Sequence, residues 1–211
     1  MTIWDFFKEL TNPESIIKYG GLALLTFVVF AETGLLIGFF LPGDSLLFTA
    51  GLLCGINVFD TPIFMLVTCL CIAAILGNIA GYWFGKKVGE ALFQKKDSLV
   101  FKKKYVEITR SFYKRHGGKT LIIGRFLPII RTFAPILAGV IKIDFKTFLI
   151  YNIAGSMLWV FSLTLTGYFL GRKYPWVEGY LGYIVIALII ITLIPVLTTY
   201  LSERRNNNPT L

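Results

Sequence analysis

The chain alternates long apolar runs with short polar breaks. From Tyr19 to Leu41 it carries one charge, Glu32, and after Pro42-Gly43-Asp44 it is apolar again from Leu46 to Cys54. A Pro-Gly turn inside an apolar stretch of 36 residues, Tyr19 to Cys54, comes too early for a loop between two full helices. The pattern predicts a helix followed by a re-entrant hairpin. Asn57, Asp60 and Pro62 form a polar link, and residues 62–85, with Asn78 among them, make a membrane span. Residues 86–118 scatter Leu92, Phe93, Leu99, Phe101, Val106 and Phe112 between lysines, the pattern of amphipathic helices lying on a membrane surface. Beyond residue 119 come the segment 120–139, the link Lys142-Ile143-Asp144 and a second span over 145–171, with Asn152 and Trp159. Arg172 to Trp176 is a short link, residues 179–201 a final span, and Ser202 to Leu211 a polar tail expected to be disordered. Residues 1–18 read as an amphipathic lead-in carrying Trp4, Phe6, Phe7 and Leu10, and Asn12-Pro13-Glu14 restarts the helix.

The segment 120–139, TLIIGRFLPIIRTFAPILAG, breaks the pattern of a lipid-facing span. It holds Arg125, Arg131, Pro128 and Pro135. A charge at bilayer depth costs roughly 2.5–3.5 kcal/mol on insertion scales, and a proline within a helix costs about 3 kcal/mol. These insertions fit a broken segment that dips into the membrane and lines a polar cavity, where irregular backbone is tolerated.

Two matches at one spacing relate the halves. GFFLP at 38–42 recurs as GRFLP at 124–128, and GYWFGKK at 81–87 as GYFLGRK at 167–173, both 86 residues on. Residues 86–119 hold eleven of the 21 Lys and Arg against three acids, so +8 of the net +9 sits there. Basic residues between spans mark the cytoplasmic side. With Arg204 and Arg205 also cytoplasmic, span 62–85 runs inward and span 145–171 outward, which makes the repeat an inverted one. The expected fold is an all-α integral membrane protein: an inverted repeat with two re-entrant helical hairpins, plus transmembrane helices and amphipathic interfacial helices. It forms a single membrane domain, with repeat one at about 19–87, repeat two at about 119–173 and a final transmembrane helix at 179–201.

Composition agrees with this class. The chain is 55% apolar with mean hydropathy +0.71 and only 16% charged, against about 25% charged in soluble domains. The alternating polarity of an outer-membrane barrel is absent. No cleavable signal peptide is expected, because Met1 to Lys18 carries Asp5, Glu9 and Glu14 and no apolar core. The clustered positive charge reads as a topology determinant that also attracts anionic head groups, so no nucleic-acid partner is expected. Cys54, Cys69 and Cys71 lie in apolar runs without a neighbouring His or acid, and read as small buried hydrophobes. His116 is the only histidine, which weakens most metal and His-based catalytic schemes. No metal, no cofactor and no enzymatic activity are expected.

Four charged side chains lie within the hairpin segments: Glu32 and Asp44 in the first half, Arg125 and Arg131 in the second. Charges inside a membrane are expected to face a cavity and find partners, so pairing across the hairpins is the economical arrangement. The four could simply tie the hairpins together. Their chemistry also suits a transport task. Arginine offers a fixed fork of donors for phosphate, which makes Arg125 and Arg131 candidates for an anionic head group. A carboxylate among apolar groups takes up a proton more readily, which makes Glu32 and Asp44 candidates for proton coupling, Glu32 first. Asn78 and Asn152 are candidate polar supports, or helix-packing residues.

At these residues a family becomes recognisable. FAETGLLIGFFLPGD (30–44), GNIAGYWFGKKVG (77–89), GRFLPIIRTFAPILAG (124–139) and NIAGSMLW (152–159) resemble the DedA family, the bacterial branch of the SNARE-associated Golgi or VTT-domain membrane proteins. The family pattern of Glu, then Pro-Gly-Asp/Glu, then two arginines falls on Glu32, Asp44, Arg125 and Arg131. The resemblance implies a multi-pass inner-membrane protein that moves lipids between leaflets, with undecaprenyl phosphate or a glycerophospholipid such as phosphatidylethanolamine as substrate. It also implies dependence on the proton motive force. Membrane lipids and protons are therefore the expected partners, and a homo-oligomer is compatible with the sequence. The competing function is a proton-coupled exporter or antiporter of small ions or drugs, with the acids binding substrate.

Overall fold

The computed structural model describes residues 13–35, 43–94, 128–180, 182–184 and 187. They form α1 (Pro13–Gly34), α2 (Gly43–Gly55), α3 (Ile63–Gln94), α4 (Pro128–Val140), α5 (Phe145–Lys173) and a 3₁₀ helix, Pro175–Tyr180. No strand occurs among the described residues. Residues 1–12, Pro42, Arg125, most of the basic stretch and most of the final span lie outside them.

Two helix lengths organise the fold. Ile63–Val88 within α3 and all of α5 are long and apolar enough to cross a membrane, at 26 and 29 residues. In contrast, α2 and α4 have 13 residues each. At 1.5 Å per residue that is about 20 Å, short of a hydrocarbon core of about 30 Å.

The short helices end alike. After α2, Asn57 takes a left-handed φ of 59°; after α4, Lys142 takes one of 54°. Asn57 N–H donates to the Cys54 carbonyl and Val58 N–H to that of Leu53, while Lys142 N–H donates to Gly139 and Ile143 N–H to Ala138. This left-handed cap satisfies carbonyls that a helix terminus otherwise leaves open. Every donor and acceptor in the second cap lies 85 residues after its counterpart in the first.

Direction follows from the contacts. Tyr82 OH, towards the end of α3, donates to the Ile143 carbonyl just before α5 at 2.6 Å. At the other end, Ile63 and Tyr168 line one cavity of about 270 Å³ with Cys54, Asp60 and Pro62. So α3 and α5 run antiparallel. α2 runs with α5, and glycines set the approach: a Cβ on Gly51 would meet the Thr164 carbonyl at 2.0 Å and one on Gly167 the Phe48 carbonyl at 2.1 Å. α4 lies on α3 in the same fashion, Gly85 against the Ile136 carbonyl and Gly139 against that of Tyr82, both 2.0 Å from a built Cβ. Each short helix of one half therefore packs on the long helix of the other. α2 leads to the C-terminal end of α5, and α4 to its N-terminal end.

Aromatic side chains gather at both ends of α5. Tyr82, Trp83, Phe145 and Phe148 contact one another at the first, where Lys86 sits over the Trp83 ring at 4.9 Å. Tyr174, Trp176, Tyr180 and Tyr183 form a chain at the second. Such belts mark the two membrane–water boundaries. At the start of α5, Asp144 accepts from Thr147 N–H at 3.0 Å and from its hydroxyl at 3.1 Å, and these bonds hold its carboxyl below the ordinary range.

Several boundaries differ from the hydropathy reading. α1 ends at Gly34, inside the apolar run expected to reach Leu41. α3 continues past residue 85 to Gln94, and α5 takes in Arg172 and Lys173, which were expected to form a link. Cations in the last turn favour continuation by meeting the helix dipole. Pro135 does not break the second segment, because α4 passes through it. Pro128 opens the helix, where a missing N–H is harmless, and the bond lost at Pro135 is the one to the carbonyl of Arg131.

Candidate functional site

The short helices α2 and α4 begin where the expected charges meet. Asp44 lies in the first turn of α2, Arg131 in that of α4, and Glu32 two residues before the end of α1. Arg131 Nη2 donates to Glu32 Oε1 at 2.5 Å, and Arg131 Nη1 donates to Asp44 Oδ1. A fourth element closes the site. Trp159 Nε1 donates to Asp44 Oδ1 at 2.7 Å, and its ring lies 4.5 Å from the Arg131 guanidinium carbon. A cation over an indole face is attracted by the ring quadrupole.

Depth gives this arrangement its meaning. Trp159 lies fourteen residues after Phe145 and fourteen before Lys173, so about 21 Å of helix separates it from either end. The cluster therefore sits at the middle of a span-length helix. Glu32 is 1% exposed and Arg131 5%. Burying such charges costs several kcal/mol each unless they are paired and hydrogen-bonded. Pairing is incomplete: Glu32 Oε2 and Arg131 Nε have no hydrogen-bond partner among the described residues. Gly43 fits against the first of these, since a Cβ there would lie 1.5 Å from Glu32 Oε2.

Asn78 and Asn152 come together elsewhere on the long helices. Asn78 Nδ2 donates to Asn152 Oδ1 at 3.0 Å and to the Ala74 carbonyl at 2.7 Å, and Asn152 Nδ2 donates to the Ile75 carbonyl at 3.1 Å. Ser156 Oγ donates to Asn152 Oδ1 at 3.3 Å. This amide pair joins α3 to α5, a geometry that fits helix packing.

Of the six residues singled out in the sequence, the structure joins Glu32, Asp44 and Arg131, pairs Asn78 with Asn152, and leaves Arg125 outside the described residues. Trp159 and Gly43 were missed as members of the site. A tryptophan in an apolar span carries no signal of its own. Gly43 was legible as a turn residue, and its closeness to Glu32 was not.

The VTT-domain family profile matches residues 41–169. The chain is 40% identical to Protein DedA of Escherichia coli over 194 residues, which is 91% of this chain and 88% of that protein. This chain belongs to the VTT-domain (DedA) family. Its other relatives include inner membrane protein YqjA of Escherichia coli, 35% identical over 79% of this chain and 74% of that protein. An uncharacterized membrane protein of Mycobacterium tuberculosis is 42% identical over 82% of this chain and 75% of that protein. No solved structure matches it. This VTT-domain chain is a membrane protein, and its match covers Asp44, Arg131 and Trp159.

Proposed function

We propose that the chain is a lipid translocase of the bacterial inner membrane. It would move a phosphate-bearing lipid, undecaprenyl phosphate or a glycerophospholipid, between leaflets in a process coupled to the proton motive force. The carrying observation is the buried ion cluster at mid-span, where α2 and α4 begin and run to opposite ends. In this reading α2 and α4 are the second arms of two re-entrant hairpins in an inverted repeat. The matching caps and the exchanged packing of short on long helices support that geometry. Transporters place substrate and ion sites where interrupted helices meet near the midplane. The arginines hold the head group, the acids take and release the proton, and the lipid tail stays in the bilayer. No covalent chemistry is assigned to the site.

The test is head-group flux in liposomes containing the full chain. Arg131→Ala is a poor probe, since removing one partner of a buried pair costs about 3–5 kcal/mol and leaves two carboxylates without a cation. Arg131→Lys keeps the charge and loses the fork. Flux should fall at least about tenfold, the equivalent of about 1.4 kcal/mol, in both Arg131→Lys and Arg125→Lys, with melting close to the parent's. Unchanged flux in both variants ends the reading.

One observation favours an exporter of small ions or drugs instead: both terminal nitrogens of Arg131 are already taken by carboxylates. There the arginine only tunes the acids. Competition by soluble cations, without any effect of phospholipid, distinguishes that function.

A further inference from the structure

We infer that Asp44 is the exchangeable partner of Arg131, displaced when a lipid phosphate binds, so that phosphate binding and proton uptake by Asp44 are one linked event. This deepens the lipid-translocase reading and rests on it. The guanidinium has little to offer as it stands. Nη1 is held by Asp44, Nη2 by Glu32, one face lies on Trp159, and Nε alone lacks an acceptor among the described residues. Each terminal nitrogen keeps one further N–H, but a phosphate that docks end-on, against Nη1 and Nη2 together, takes the place of a carboxylate.

The two carboxylates are not equivalent. The side chain of Asp44 is 22% exposed and that of Glu32 2%, so an incoming group reaches Asp44 first. Glu32 is also walled by Gly43. Release differs for each. Asp44 freed from Arg131 keeps a side-chain donor, the Trp159 indole N–H, whereas Glu32 keeps only the backbone N–H of Gly43. Trp159 thus acts as a tether that holds Asp44 near its ion pair when the pair opens.

Charge then couples exchange to protonation. With phosphate beside Glu32 on one guanidinium, an ionised Asp44 would add a further negative charge in contact with both. A like charge favours the neutral form of a carboxyl. Among the described residues the charged groups facing Asp44 are Arg131 from α4 and, across it, Glu32 from α1; α5 presents the neutral Trp159. The only covalent change is a proton transfer: a hydronium ion on the exposed side gives up one O–H bond and leaves as water while an O–H forms on Asp44. The Arg131–Asp44 pair is replaced by an Arg131–phosphate pair.

Calorimetry on the full chain in dodecyl maltoside micelles, which carry no phosphate, tests this, with dihexanoyl phosphatidylglycerol as probe. Its phosphodiester keeps one charge across the neutral range, so a pH effect belongs to the protein. Titrations in buffers of different ionisation enthalpy should show about one proton taken up per probe, with affinity rising by up to about tenfold per pH unit of acidification. Asp44→Asn should bind more tightly, without proton uptake and without pH dependence, while Glu32→Gln should retain the slope. Proton uptake that persists in Asp44→Asn, or that disappears in Glu32→Gln while Asp44→Asn keeps it, overturns the assignment. Parent protein that binds the probe without taking up a proton overturns it too, and leaves the translocase reading standing. Absence of binding at any pH removes both. Equal binding of glycerophosphoglycerol, which lacks the chains, overturns the lipid as the source of the phosphate.

Discussion

At the scale of single residues, Trp159 binds two charges at once, and its two roles separate by substitution. Trp159→Phe keeps a ring beneath Arg131 and removes the indole N–H from Asp44. A hydrogen bond to a charged group contributes about 1.5–3 kcal/mol. Trp159→Leu also removes the ring, and with it the cation–π attraction of about 0.5–2 kcal/mol. Thermal melting in detergent should therefore rank the parent above Trp159→Phe, and Trp159→Leu lowest. Equal melting of the parent and Trp159→Phe would mean that the bond to Asp44 adds nothing. The contrast with the charged residues shows what a sequence exposes. Glu32, Asp44 and Arg131 stood out because ionised groups are rare in apolar runs and must find partners there. The sequence could not say which acid faces the outside of the cluster, since that depends on how α1 and α2 pack around Gly43.

Among elements, the long helices were legible and the short ones only in part. Apolar runs bounded by polar links located α3 and α5 to within a few residues at their starts. The prolines of the second segment misled, because a proline in the first turn of α4 opens a helix, and Pro135 costs one bond without stopping the chain. The packing partners of the short helices were hidden. Nothing in α2 alone says that it lies on α5 rather than on its neighbour α3. The glycines carry that choice, because they allow close backbone contact at 85, 167 and 171, within the motif that the two halves share. Gly85→Val and Gly167→Val should each force the short helix outward. Overpacking costs about 1–3 kcal/mol, and a side chain that meets a carbonyl of a helix backbone belongs at the upper end. Gly179→Val, where a built Cβ meets nothing within 4 Å, is the control and should melt like the parent. Equal melting of all three variants would show that close approach is not what fixes α2 and α4.

For the whole molecule, orientation in the membrane is the property on which alternating access depends. The direction of α3 opposite to α5 is set by Tyr82 against Ile143 at one end and by Ile63 with Tyr168 around one cavity at the other. Which end faces the cytoplasm is set by charge, since +8 of the net charge lies in residues 86–119, and such loops stay inside. On the proposed topology the α2–α3 link, with Asp60, is expected outside and the α4–α5 link, with Lys142 and Asp144, inside. Arg204 and Arg205 predict an inside C-terminus as well. Single cysteines read this directly once the native thiols at 54, 69 and 71 are replaced by alanine, of which 54 and 71 are buried and 69 half-buried. Asp60→Cys should react with an impermeant maleimide added to intact cells or right-side-out vesicles. Lys103→Cys, Lys146→Cys and Asn207→Cys should react only after permeabilisation. If position 60 labels from the same side as position 103, α3 does not cross, and a pathway between hairpins entering from opposite faces is lost. If 103 and 207 label from opposite sides, the final span runs the other way and the charge argument for the repeat's inversion falls with it. The labelling asked for here, with 60 outside and 103, 146 and 207 inside, would leave α2 and α4 opening towards opposite faces from one shared ion cluster. In that geometry, if the chain is the translocase proposed above, water reaching Asp44 from one side or the other would decide which leaflet the head group joins.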